Sequence, residues 1–148
     1  MARLSIALPE IFTFSTTISI RITDINYGGH LGNDSVLSLV HEARMQFLNS
    51  MGYTEMNCGG IGLIMTDAAI EFKREVFYGE LITISVAAIN FTKKSFELFY
   101  KMEKQQAEKT VLVAIVKTSM LGYDYSAKKI TAFSQEVIDN LSTPLAGK

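Results

Sequence analysis

The β-prone segments in the second half of this chain, and the short turns between them, limit its fold more than any other feature. The segments lie near residues 61–74, 80–92, 95–104 and 110–125 and are rich in Ile, Val, Phe, Thr and Tyr. Turns are predicted at residues 78–80, 92–94 and 105–108. Because a parallel crossover needs about a dozen residues or more, connections this short predict antiparallel neighbours.

Two further segments have clear periodicity. Residues 12–22 alternate between apolar or bulky even positions, such as Phe14 and Ile22, and polar odd positions, which predicts a half-buried strand. After a glycine-rich loop, apolar residues recur at helical spacing up to Gly52, with Asn33 or Asp34 as the expected N-cap. The buried stripe of this helix of about five turns is expected to be Val36, Val40, Ala43 and Phe47. Residues 133–141 predict a short final helix.

These elements predict an α+β fold in which an antiparallel sheet wraps around one long helix, in a single domain over residues 1–148. A formal net charge of -1 gives no general attraction for nucleic acid. The single Cys58 excludes an internal disulfide framework, and its neighbours indicate a loop thiol rather than a metal ligand. No apolar run approaches the roughly 20 residues that span a bilayer. We therefore expect no metal, no membrane span and a cytoplasmic location.

The loop before the long helix is the strongest functional signal. It has the sequence Asn26-Tyr-Gly-Gly-His30-Leu-Gly-Asn33. Its glycines allow a ligand to approach the main chain closely, and the first N–H groups of a helix have no partner within that helix. Such a place can polarise a carbonyl oxygen, and the residues expected to do so are Gly29, Leu31, Gly32 and Asn33.

The order of these motifs resembles the hotdog-fold acyl-CoA thioesterases. The likeness rests on Gly29-His30-Leu31-Gly32-Asn33 before the helix, on Glu42-Ala43-Arg44 within it, and on residues 69–72 and 78–80 after it. It extends from about residue 12 to residue 125. The resemblance implies a hotdog fold, an acyl-CoA substrate with no additional cofactor, and homodimers that often pair into tetramers, with active sites at the subunit interface.

The resemblance also implies roles for individual residues. In the branch similar to the hydroxybenzoyl-CoA thioesterases, a catalytic aspartate stands four residues before the loop histidine, where this chain has Asn26. An amide cannot act as a carboxylate base or nucleophile. A second branch pairs a loop asparagine with an acidic residue on the long helix, and Glu42 matches that residue. This implies Glu42 as base or nucleophile, Asn26 positioning water, and loop N–H groups as oxyanion donors.

Helix geometry sets a condition on the role of Glu42. At roughly 100° per residue, Glu42 lies about 120° from the centre of the buried stripe, and about 13 Å along the axis from Asn33. A bent helix start, or a site completed across two subunits, would be required to bring it to the loop. The alternative is a solvated helix residue. His30 also has two interpretations, since it either contacts the thioester or Asn26, or satisfies backbone carbonyls in the loop.

Several other residues are candidates for supporting roles. Asp24 is a reserve base, and Thr66 and Asp67 are candidates for a role beside the site, because a charge among apolar neighbours requires a partner or water. Two basic pairs at strand ends are candidates for the phosphates of coenzyme A: Lys73 with Arg74, and Lys93 with Lys94. Such pairs are alternatively solvated turn residues.

Hydrolysis of an acyl-CoA or acyl-carrier thioester to acid and thiol is the function that the sequence favours. A hotdog dehydratase or hydratase, using His30 and Glu42 as the acid-base pair, is one alternative. A non-catalytic module that binds acyl thioesters and dimerises is the other, because the aspartate of the first branch is absent.

Overall fold

A single antiparallel sheet forms the framework of the protein. The computed structural model describes residues 3–143, so the predicted domain of residues 1–148 extends beyond the described part at both ends. Its strands are β1 (Phe14–Ser19), β2 (Gly62–Phe72), β3 (Leu81–Ile89), β4 (Ser95–Gln106), β5 (Lys109–Asp124) and β6 (Lys129–Ile130). They pair in the order β1-β3-β4-β5-β2, with β6 beside β5. Every pairing is antiparallel, as the short connections predict.

Helix α1 (Asn33–Asn49) covers one face of the sheet with its apolar stripe. The four residues of the predicted stripe are buried, together with Leu39 and Leu48. They join the inward-facing residues of the strands, among them Ile84 and Leu98, in one core. Each large apolar side chain so buried contributes roughly 1.5–3 kcal/mol relative to exposure. This confirms the predicted helix and its buried face.

A second, shorter helix, α2 (Gln135–Ser142), closes the described part of the chain. The Ser134 side chain caps it by accepting a hydrogen bond from the Val137 N–H, and Val137 and Leu141 are buried in the core. The helix lies close to the predicted residues 133–141. Neither α1 nor α2, the helices of the described residues, has the length and apolar character needed to cross a membrane.

The N-terminal residues 3–13 run over the opposite face of the sheet. The Ile6 N–H donates to Glu71 Oε1 at 2.7 Å, and Lys101 Nζ lies 4.7 Å from the centre of the Phe12 ring. Phe99 and Ile115, which point to this face, are consequently buried. The N-terminal segment therefore covers part of the second face of the sheet.

The first strand is shorter than its sequence pattern predicts. Burial alternates from Phe14 to Ile20, but β1 stops at Ser19, and Ile22–Asp24 form a 3-10 turn. The Asp24 carboxylate accepts hydrogen bonds from the N–H and guanidinium of Arg21, at 2.9 to 3.3 Å. Ile22 is 66% exposed, so its predicted place on the apolar face is wrong. A local carboxylate contact overrides the periodicity here.

The N-cap of α1 is Gly32, which corrects the expectation of Asn33 or Asp34. The Gly32 N–H donates to the Asp24 carbonyl at 3.0 Å. This backbone hydrogen bond holds Gly32 at the N-cap position, so the helix begins one residue earlier than a cap at Asn33 would place it. The C-terminal end of α1 is as predicted. Gly52 has a left-handed φ of 80°, and the Tyr53 N–H donates to the Leu48 carbonyl at 2.9 Å.

A chain of buried polar contacts ties α1 to the sheet. Arg44, only 6% exposed, donates to Glu55 Oε2 and to the Tyr100 hydroxyl, both at 3.1 Å. The Tyr100 hydroxyl also lies 3.0 Å from Thr118 Oγ1. Burial raises the pKa of Tyr100, so the phenol stays protonated and bridges the other two groups.

We predict that Tyr100→Phe destabilises the fold by about 1–3 kcal/mol, because it leaves Arg44 and Thr118 with one buried partner fewer. The midpoint of urea unfolding measures this, and Tyr125→Phe, at an exposed tyrosine, serves as the control. An unchanged midpoint for Tyr100→Phe would contradict a stabilising role for the buried contacts.

Candidate active site

A pocket of about 250 Å³ lies where the glycine-rich loop, the start of α1 and the end of β2 meet. It combines an apolar wall with charged side chains at its rim, as ligand sites commonly do. Its lining residues are His30, Leu31, Asn33, Val36, Phe72, Lys73, Arg74, Glu75, Val76, Val113 and Ala114. The structure therefore brings predicted loop residues and one predicted basic pair to a single place.

Backbone hydrogen bonds shape the loop into a tight turn. Asn26 N–H donates to the His30 carbonyl at 2.9 Å, and Gly29 N–H donates to the Asn26 carbonyl at 3.0 Å. Gly29 has a φ of 85°, a backbone conformation that residues with a side chain rarely adopt. Ile25 and Leu31 form a bridge at the base of the turn. This leaves Tyr27 fully exposed at the tip.

The side chains of Asn26 and His30 flank Gly28. Asn26 Oδ1 accepts the Gly28 N–H at 2.8 Å, so the side chain stabilises the turn through its oxygen. His30 Nδ1 lies 3.2 Å from the Leu31 carbonyl oxygen. A methyl group added to Gly28 would lie 3.2 Å from Asn26 Oδ1 and 3.5 Å from His30 Nε2. A glycine therefore keeps open the space between these two polar groups.

The first turn of α1 supplies hydrogen-bond donors beside the pocket. Ser35 N–H donates to the Gly32 carbonyl at 3.1 Å, whereas Asn33 and Asp34 precede the first residues that can donate within the helix. The positive end of the helix dipole lies at the same point. Three of the four predicted oxyanion donors are used elsewhere, because the N–H groups of Gly29, Leu31 and Gly32 donate to the carbonyls of Asn26, Val76 and Asp24, at 3.0, 2.7 and 3.0 Å. Asn33 remains a candidate.

The charged rim of the pocket follows directly after β2. The N–H groups of Lys73 and Arg74 both donate to the Val113 carbonyl, at 2.8 and 3.1 Å. Lys73 also forms an ion pair with Glu71. Glu75 Oε1 lies 3.9 Å from His30 Nε2. Sequence reasoning missed Glu75, although the consecutive charges at residues 73–75 mark the end of the strand.

Within one chain, Glu42 is not brought to this pocket. Its carboxylate is exposed and accepts a hydrogen bond from Gln46 Nε2 at 2.8 Å, and the Gln46 side chain in turn contacts Thr16 on β1. The pKa of Arg21 is raised, chiefly by its hydrogen bond with Asp24 and to a smaller extent by Glu42. Glu42 therefore lies on the side of α1 that faces β1, and the pocket lining does not include it.

Asp24 is buried, and Arg21 occupies its carboxylate. Its contacts hold the 3-10 turn and, through its carbonyl, the N–H of Gly32. This is a structural arrangement at the base of the loop, and Asp24 does not line the pocket.

Thr66 and Asp67 lie in a different, shallow depression beside the turn between β3 and β4. Asp67 forms an ion pair with Lys117 at 3.0 Å, and this hydrogen bond lowers the pKa of Asp67. Asp67 therefore has the charged partner that a carboxylate among apolar neighbours requires. Lys93 and Lys94 occupy the β3–β4 turn, where their carbonyls accept N–H groups of Phe133 and Gly122. These four residues are absent from the lining of the pocket at His30.

In sequence, residues 20–141 of this chain match the family model of the thioesterase-like superfamily. No curated protein is similar enough in sequence to be matched to this chain. A 1,4-dihydroxy-2-naphthoyl-CoA thioesterase from Synechocystis has 18% identity and a TM-score of 0.76, covering 86% of this chain and 94% of its own. The 4-hydroxybenzoyl-CoA thioesterase from Pseudomonas sp. strain CBS-3 has 14% identity and a TM-score of 0.76, covering 88% and 99%. At these identities the similarity to the solved structures shows the hotdog fold.

Cys58 lies in the loop before β2, as the sequence predicts, and is buried. Burial raises the pKa of the Cys58 thiol to about 12, so almost no reactive thiolate forms near neutral pH. Nowhere in residues 3–143 do three or more His, Cys, Asp or Glu side chains gather closely enough to hold a metal ion.

We predict that the native protein does not react with the disulfide reagent DTNB at pH 7.5, whereas one thiol per chain reacts in denaturant. The absorbance of the released thiolate measures this. Rapid titration of Cys58 in the folded protein would contradict its burial. The expected result also makes DTNB suitable for following thiol release from substrates.

Proposed function

Because the chain belongs to the thioesterase-like superfamily, we propose that it hydrolyses an acyl-CoA or acyl-carrier thioester to the free acid and the thiol. Thioesterases are among the solved structures with this fold, including a gentisyl-coenzyme A thioesterase with 17% identity and a TM-score of 0.74, which covers 87% of this chain and 100% of its own. The observation that carries the proposal is the pocket in which His30 and the start of α1 meet the basic residues after β2.

The start of α1 binds the thioester oxygen in this proposal. The negative charge that develops on this oxygen during attack is stabilised by the first N–H groups of the helix, at Asn33 and Asp34, and by the helix dipole. Asn33 and Asp34 are both exposed residues, and Asn33 lines the pocket. The Asn26 oxygen is engaged with Gly28, so its amide nitrogen is the part of that side chain that can donate to a ligand.

His30 is the proton acceptor of the proposal. If its Nδ1 donates to the Leu31 carbonyl, the remaining lone pair of the imidazole is on Nε2, which faces the space beside Gly28. A water molecule bound there can transfer a proton to Nε2 as it attacks the thioester carbon.

We assign the phosphates of coenzyme A to the rim at residues 73–74. Arg74 carries the larger share, because a guanidinium binds phosphate through two parallel hydrogen bonds. The charge of Lys73 is partly offset by its ion pair with Glu71. Among the described residues, no other side chain of the pocket lining carries a permanent positive charge.

A homodimer is part of the proposal, and the edge strand β2 supports it. β2 has eleven residues and is the last strand in the order β1-β3-β4-β5-β2, so one side of its backbone has no neighbour among the described strands. Residues 65–68 in its middle are exposed. A long, free strand edge is commonly paired with another chain.

A panel of acyl-CoAs tests the function directly. Release of thiol from at least one aliphatic or aromatic acyl-CoA, followed with DTNB, is the expected result. Consumption of an enoyl-CoA without thiol release would identify a hydratase instead. Binding of the panel without turnover would identify a non-catalytic module. Either result would overturn the proposal of hydrolysis.

We predict that Arg74→Ala raises KM for the best acyl-CoA about tenfold, equivalent to about 1.4 kcal/mol, with little change in kcat. Lys73→Ala has a smaller effect, because Lys73 is already paired with Glu71. The corresponding acyl-pantetheine, which has no nucleotide phosphates, should show no difference between the variants. Lys128→Ala, at an exposed lysine on the β5–β6 turn, is the control. A rise in KM for acyl-pantetheine as well would contradict phosphate binding by Arg74.

We predict a native mass of twice the 16.4 kDa of the chain, or four times if dimers pair further. Light scattering after size-exclusion chromatography measures it at micromolar concentration. A single 16.4 kDa species would contradict the homodimer.

A further inference from the structure

We propose that Glu75 and His30 together hold and deprotonate the water that attacks the thioester. This assignment rests on the proposed hydrolysis. It gives the role of the aspartate, which the loop lacks, to Glu75. Glu75 follows β2, whereas His30 precedes α1, and the fold brings their side chains to the same pocket.

The separation of the two side chains fits a shared water molecule. His30 Nε2 and Glu75 Oε1 are 3.9 Å apart, which is too long for a direct hydrogen bond. A water oxygen about 2.8 Å from each atom bridges such a gap and still has its other side open to the pocket.

The hydrogen bond at Nδ1 gives this water its orientation. The Leu31 carbonyl oxygen can only accept, so the contact with His30 at 3.2 Å requires the proton to be on Nδ1. Nε2 is then an acceptor, and an ionised Glu75 is an acceptor as well. A water molecule that donates one hydrogen to each directs its oxygen lone pair away from both, towards a bound carbonyl carbon.

The backbone fixes the distance between the two groups. Leu31 N–H donates to the Val76 carbonyl at 2.7 Å, so the residues that follow His30 and Glu75 are joined directly. On the other side, the N–H of Arg74 is held by the Val113 carbonyl of β5. The pair is therefore set on anchored backbone, as a catalytic pair requires.

The two carboxylates that the sequence offers for this role are engaged elsewhere within the chain. Asp24 is bound to Arg21, and Glu42 accepts from Gln46 on the face of α1 towards β1. Asn26 has no carboxylate to offer. Within residues 3–143, Glu75 is the only carboxylate that lines the pocket.

The reaction balances with water as the only co-reactant. The water oxygen forms a bond to the thioester carbon while one of its protons moves to His30 Nε2, and the carbonyl electron pair moves to the oxygen. Glu75 accepts the second hydrogen bond and stabilises the imidazolium that results. When the tetrahedral intermediate collapses, the C–S bond breaks, and the departing sulfur takes the proton from Nε2. The products are the acid and the thiol.

The test compares Glu75→Gln, His30→Ala and Gly28→Ala with the parent, using the best thioester of the panel. We expect Glu75→Gln and His30→Ala to lower kcat about 100-fold or more, within the usual contribution of general acid-base catalysis, while KM changes little. Added imidazole should restore part of the turnover of His30→Ala. In Gly28→Ala, the new methyl group lies 3.5 Å from Nε2 and should lower kcat without removing any polar group.

Glu10→Gln, at an exposed glutamate of the N-terminal segment, is the matched control, and circular dichroism establishes that each variant folds. Full kcat in Glu75→Gln would overturn this assignment and leave the proposed hydrolysis intact. The assignment also fails if Glu42→Gln abolishes turnover while Glu75→Gln does not. Failure of the parent protein to release thiol from any thioester would instead overturn the proposed function itself.

Discussion

Two backbone hydrogen bonds fix the start of α1 relative to the sheet, and the candidate site depends on both. Gly32 N–H donates to the carbonyl of Asp24 in the 3-10 turn, and Leu31 N–H donates to the carbonyl of Val76 after β2. The first bond sets where the helix begins, and the second joins the loop to the segment that carries the charged rim. Because the helix is also held by its apolar stripe, its N-terminus cannot shift without breaking these contacts. The donors and charges around the pocket are thus placed by the fold.

Composition, turn length and periodicity together are sufficient to predict most of the fold. The β-prone segments and the short turns between them predict the antiparallel strands, and the helical spacing of residues such as Val40 and Phe47 predicts which face of α1 is buried. The errors occur where a local contact competes with that pattern. The alternation continues to Ile22, but the Arg21–Asp24 contact turns the chain before it. The predicted helix start is wrong for a similar reason, since a backbone bond from Gly32, invisible in the sequence, replaces a side-chain cap.

The candidate site is predictable only where its residues are close in sequence. The loop residues Asn26 and His30 and the helix start stand out together, because glycines and polar side chains accumulate there. The pairing of His30 with Glu75 joins two segments that are far apart in the sequence, and no local pattern encodes it. The sequence likewise does not distinguish the two candidate phosphate-binding pairs, residues 73–74 and 93–94, because both follow strands. Only the tertiary structure shows that residues 73–74 line the pocket.

The asparagine at position 26 is consistent with a carboxylate at position 75. Asn26 Oδ1 and His30 Nε2 flank Gly28, and Glu75 lies 3.9 Å from the same imidazole nitrogen. An aspartate at position 26 would add a second negative charge near this imidazole, and two like charges disfavour each other's ionised forms. With an amide there, the oxygen still accepts the Gly28 N–H that stabilises the turn, while Glu75 alone supplies the negative charge. In the proposed mechanism the carboxylate function has then moved from the loop to the end of β2, where the Leu31–Val76 hydrogen bond keeps it beside the histidine.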